Sequence, residues 1–67
     1  MDFAEVVKTV RKDLGMSQEE LAHAINVSFA TINRWENGKT HPNNLTKTVF
    51  LDFCSKNGLD IDLFKDN

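Results

Sequence analysis

Residues 18–39 read QEELAHAINVSFATINRWENGK, and they carry two helix starts with one sharp turn between them. Ser17 stands just ahead of this stretch with Glu20 three residues on. At that spacing the hydroxyl accepts from an orphan backbone N–H while the carboxylate reaches back to the Ser17 N–H, so a helix begins there. Leu21, Ala22 and Ile25 make one buried stripe, and Glu19, Glu20 and His23 turn to water. Asn26 ends the stripe, because asparagine tolerates the left-handed backbone better than any residue but glycine; Val27 then points back into the core. Ser28 caps a second helix, with Ile32 and Trp35 on its inner side and the turn pair Asn37-Gly38 closing it.

Two helices joined by about three residues form either an antiparallel hairpin or a crossed helix-turn-helix. Ala22 favours crossing, since a small side chain in the middle of the first helix lets the second approach closely. The outer face of the second helix then holds Phe29, Ala30, Asn33 and Arg34.

At these residues the chain resembles the helix-turn-helix family of phage repressors, Cro proteins and restriction-control proteins. The family pattern has Gln at the first motif position, Ala at the fifth, a turn residue at the ninth, an aliphatic at the fifteenth and a closing Glu-Asn-Gly. Gln18, Ala22, Asn26, Ile32 and Glu36-Asn37-Gly38 meet it. With less force the resemblance runs from Val6 to Phe64. Asn26 stands where the family often has Gly, and Phe29-Ala30 where several relatives carry polar base-reading residues, so the resemblance supplies no target sequence. It implies an all-α, compact five-helix domain of the lambda-repressor type over residues 1–67, with the helix-turn-helix at helices 2 and 3.

The flanking segments suit that architecture. Phe3, Val6, Val7, Val10 and Leu14 recur at helical spacing before a stop at Gly15. After the motif, residues 40–44 (THPNN) read as a loop, with Asn43 or Asn44 capping a helix that carries Leu45, Val49, Phe50, Phe53 and Cys54 and ends at Gly58. Asp60 can cap a short fifth helix with Ile61 and Phe64 apolar.

Sixty-seven residues leave room for one small domain, for which dimerisation would add buried area. No apolar stretch is long enough to cross a membrane and no signal-peptide layout opens the chain, so a cytoplasmic protein without a membrane partner is expected. Cys54 is the one cysteine and lies in an apolar run, as a buried small hydrophobe would. The net charge of −2 runs against nucleic-acid binding, but its distribution does not: residues 1–48 hold six basic and six acidic side chains, and 49–67 hold two and four.

The groove-facing residues divide by chemistry. The planar fork of Arg34 suits O6 and N7 of guanine. Asn33 suits adenine, or else a phosphate or solvent. Phe29 and Ala30 can touch a thymine methyl, and Phe29 can instead pack on the adjoining loop as core. Thr31 fits a phosphate contact or a plain helix surface, and Ser28 shares the helix start with it. By resemblance, Gln18 touches a phosphate or an outer base, while Asn37, Lys39 and Thr40 follow the sugar-phosphate backbone. Glu36 lies near a helix C-terminus and would lie near phosphates, both of which repel it, so it needs a cation. The resemblance assigns Arg11, as a structural pair.

His23 and His41 have no ligand-spaced partners, so no metal, cofactor or small-molecule ligand is expected, and no nucleophile, base and orienter come together for an enzyme. Two functions follow. The first is a sequence-specific regulator of transcription that reads double-stranded DNA with helix 3 (about 28–37) as a homodimer on an inverted repeat. The second is an antitoxin-like or adaptor module whose apolar C-terminal residues Val49, Phe50, Leu51, Phe53, Ile61, Leu63 and Phe64 hold a partner protein.

Overall fold

The computed structural model describes residues 2–38 and 42–59, and among these every regular element is helical. The helices are α1 (Phe3–Asp13), α2 (Gln18–Ala24), α3 (Phe29–Glu36) and α4 (Asn44–Lys56). The fifth helix expected from Asp60 lies outside the described residues, as do Lys39, Thr40 and His41.

Each helix begins on a side-chain cap. Asp2 accepts from the Glu5 N–H at 2.9 Å, Ser28 from Thr31 at 3.1 Å and Asn43 from Thr46 at 2.8 Å. Asn43, of the two candidates in the loop, is therefore the cap of α4. At α2 the box is reciprocal, with Glu20 N–H on Ser17 Oγ at 3.1 Å and Ser17 N–H on Glu20 Oε1 at 2.8 Å. Satisfying these orphan donors offsets the nucleation penalty of a helix as short as α2, which has seven residues.

The turn between α2 and α3 rests on Asn26 at φ +61°. There the Asn26 N–H reaches the His23 carbonyl at 3.2 Å and the Val27 N–H reaches that of Ala22 at 2.9 Å. This is the Schellman pairing, and it consumes carbonyls that the end of α2 would otherwise leave bare. Val27 turns back to pack, half-buried, against the core.

The core takes Val6, Val7 and Val10 from α1, Leu21, Ala22 and Ile25 from the α2 segment, Ile32 and Trp35 from α3, and Phe50 and Cys54 from α4. Three rings knit its floor edge to face: Phe3 to Trp35 at 5.3 Å, Phe3 to Phe50 at 5.6 Å and Trp35 to Phe50 at 6.2 Å between centroids. One ring comes from each of α1, α3 and α4, so the back of α3 is held by aromatic quadrupoles in their preferred T geometry as well as by area.

In α4 the apolar residues divide, and Phe50, expected among those that would hold a partner protein, belongs to the core. Leu45 is 76% exposed and Val49 40% exposed, whereas Phe50 and Cys54 are fully buried. The reason is angular: residues 45 and 49 fall on one line of the helix and 50 and 54 on another, centred about 140° away at 3.6 residues per turn. Leu45, Thr46 and Val49 line a shallow apolar groove against Ile25, Asn26 and Val27.

Candidate nucleic-acid interface

One side of α3 is committed to the protein interior. Ile32 and Trp35 are buried, and so is Glu36, at 5% exposure. A buried carboxylate needs both charge and hydrogen-bond compensation, and Arg11 of α1 supplies both. Its Nε donates to Glu36 Oε2 at 2.7 Å and its Nη2 to Oε1 at 3.0 Å, the two-pronged geometry of guanidinium on carboxylate. A third nitrogen, Nη1, donates to the Met16 carbonyl at 3.1 Å, tying the α1–α2 turn to the same arginine. Burial pushes the Glu36 carboxyl up, but the hydrogen bonds from Arg11 and Gln18 with the Arg11 charge outweigh it and hold the group below its ordinary range. The hydrogen bond to Glu36 likewise raises Arg11.

The other side of α3 is open. Phe29 is 48% exposed, so it does not pack away as core, and Ala30 and Arg34 are exposed beside it. Arg34 touches its own helix only through a weak Nε contact to the Ala30 carbonyl at 3.4 Å. Ser28 and Thr31 hold each other through their hydroxyls at 2.9 Å at the start of the helix.

A model of the helix-turn-helix family matches residues 7–46, more than half of the chain. The chain belongs to this family. Over 43 residues it is 40% identical to the HTH-type transcriptional activator BcrR of Enterococcus faecalis, a match covering 64% of this chain and 21% of that protein. Over 55 residues it is 43% identical to the type II methyltransferase M1.ScrFI of Lactococcus lactis subsp. cremoris, covering 78% of this chain and 14% of that protein. The matched region is thus about a fifth or less of each relative. No solved structure matches.

Within the helix-turn-helix, Gln18 and Asn33 are half-buried and linked to the Arg11–Glu36 pair. Gln18 Nε2 donates to Glu36 Oε1 at 3.0 Å, Asn33 Nδ2 to Gln18 Oε1 at 3.3 Å, and Asn37 Nδ2 to Asn33 Oδ1 at 2.9 Å. The line of polar groups therefore runs from the buried ion pair to the exposed edge of α3. Sequence reasoning gave Gln18, Asn33 and Asn37 separate roles toward DNA and missed that they touch one another. Only the i, i+4 spacing of Asn33 and Asn37 hinted at it. Among the described residues no cluster of three His, Cys, Asp or Glu side chains could hold a metal, and no helix is long and apolar enough to cross a membrane.

Proposed function

We propose that this chain is a sequence-specific DNA-binding regulator of transcription that lays α3 in the major groove and binds as a pair of copies on an inverted repeat. The observation that carries the reading is the division of α3. Its inner side is fixed by Ile32, Trp35 and the Arg11–Glu36 pair, which leaves Phe29, Ala30 and Arg34 outward on a helix that cannot easily turn. A rigid helix presenting a guanidinium and apolar contacts is what base-edge readout requires. Family membership supports DNA as the partner, and the activator BcrR supports regulation of transcription as the outcome. Nothing in the reading calls for catalysis, metal or cofactor.

The roles follow the exposed chemistry. Arg34 reads guanine, Phe29 and Ala30 meet thymine methyls, Ser28 and Thr31 lie near phosphate at the start of α3, and Lys39 and Thr40 follow the backbone beyond it. Selection of bound sites from a random duplex pool tests this, followed by gel shifts with variants. Arg34→Ala should lose about 1–3 kcal/mol on the selected site and relax preference at one position, while Lys39→Ala weakens all sequences evenly. Wild-type binding by Arg34→Ala would remove Arg34 from the interface.

A second reading, protein binding through α4, has one observation in its favour. Leu45 and Val49 stand exposed beside an apolar groove. Light scattering of the purified chain, alone and with DNA, tests whether a second copy takes this surface; a chain that stays monomeric on DNA leaves it to a partner protein.

A further inference from the structure

Building on the reading of α3 as the recognition helix, we propose that Glu36 is a positioning residue for base recognition: acting through Gln18, it sets which end of the Asn33 carboxamide donates and which accepts. A primary amide has an oxygen and an NH2 of nearly equal shape, and a half-turn about its last bond exchanges them. A free asparagine on a helix surface therefore offers either order. Here the order is forced from the interior outward.

An ionised carboxylate only accepts. Glu36 Oε1 already takes Arg11 Nη2, and the second group on that oxygen, Gln18, must present its nitrogen, which it does at 3.0 Å. The reversed amide would set its oxygen against the buried Glu36 oxygen in a part-buried place, where an unmatched acceptor is unfavourable. Gln18 Oε1 is thereby turned toward Asn33, so Asn33 must answer with Nδ2, at 3.3 Å. Asn33 Oδ1 then faces Asn37, whose Nδ2 donates to it at 2.9 Å.

Asn33 keeps one N–H and one lone pair outside this line, in a defined order. That pair complements N7 and the N6 amino group of adenine. Glu36 is itself 5% exposed, so its influence on the base would pass through the relay rather than by contact. The depressed pKa of the carboxyl keeps it an acceptor throughout the neutral range.

The test takes wild type, Asn33→Ala, Gln18→Met and Glu36→Gln through selection from the same random duplex pool, with melting temperatures recorded. Gln18→Met keeps length and leaves Arg11 on Glu36, whereas Glu36→Gln keeps shape but allows the neighbouring amide to face either way. All three variants should lose discrimination at the same half-site position, by about 5- to 150-fold, with preference elsewhere retained. If Gln18→Met or a folded Glu36→Gln lowers affinity evenly and leaves that preference intact, the relay is only structural and the proposal falls. Should Glu36→Gln not fold, proton NMR of the wild-type side-chain amides decides. One Asn33 orientation with cross-peaks to Gln18 supports the relay, and two interconverting orientations overturn it. A wild type that selects no site overturns the DNA reading itself, which is a distinct result from a selected site that Gln18→Met does not alter.

Discussion

Arg11 and Glu36 show what a single buried charge demands. The Glu36 side chain is 4% exposed and that of Arg11 19%, so removing the arginine leaves a carboxylate stranded in the protein with only Gln18 on it. We expect Arg11→Ala to destabilise the fold by about 3 kcal/mol, the low end for an orphaned buried partner because Arg11 is itself partly solvated. At about 4–8 °C per kcal/mol for a domain of this size, thermal melts read that directly. A melting temperature equal to wild type would show the pair to be idle. The acid side has a sign of its own. A Glu36 held below its ordinary value contributes stability that is complete above about pH 4.3, the unfolded value, and is lost as the pH falls through the folded one. In Arg11→Ala burial acts with less opposition and raises the folded value, so the gap between variant and wild type should narrow on acidification. A gap constant from pH 7 to pH 3 would contradict this. Cys54 belongs to another class: burial pushes its thiol up to about 11, so it is a core side chain that does not ionise at neutral pH.

At the scale of elements, the turn after α2 is the piece on which the angle of α3 depends. Asn26 at φ +61° carries it with a Cβ, which ordinary L-residues adopt there at about 1–2 kcal/mol and asparagine more readily. Asn26→Ala should therefore lower stability by about 1 kcal/mol and Asn26→Gly should match or exceed wild type, as chemical denaturation with an unchanged m-value would report. If Asn26→Gly proved the less stable, the backbone account of this turn would fail. The turn and the caps of α2 and α3 were legible in the sequence because their chemistry is local: Ser17 to Glu20, Ser28 to Thr31 and Asn26 to His23 span four residues each. The facing of α4 was not, since its apolar residues at 45, 49, 50, 53 and 54 spread around the helix and periodicity alone does not say which line meets the core. The amide relay was hidden for a related reason. Gln18 meets residues 15 and 18 positions away, and only packing brings them together.

At the scale of the whole molecule, the described residues form a unit smaller than one turn of duplex. Among the described residues the greatest Cα extent is 26 Å, shorter than the roughly 34 Å between successive major grooves on one face of B-DNA. On the proposed reading each α3 therefore occupies a single groove, and an inverted repeat calls for two copies whose separation is set by contact between them. The net charge of −2 adds to this, because a chain with no excess positive charge gains less from phosphate contacts than a basic domain and benefits more from pairing. Leu45 and Val49 give α4 an apolar edge suited to such contact. These considerations predict that the selected site is palindromic and that spacing matters in phase. Inserting about 5 bp between half-sites turns the second copy to the opposite face of the duplex, and inserting about 10 bp restores the face but stretches the protein contact. Gel shifts should show the first insertion reducing binding to that of an isolated half-site. Leu45→Lys, tested on the unaltered site, should do the same if α4 forms the contact while leaving half-site affinity as it was. Binding indifferent to the 5 bp insertion would mean that each copy acts alone, and the dimer would then have to be abandoned while recognition by α3 stood.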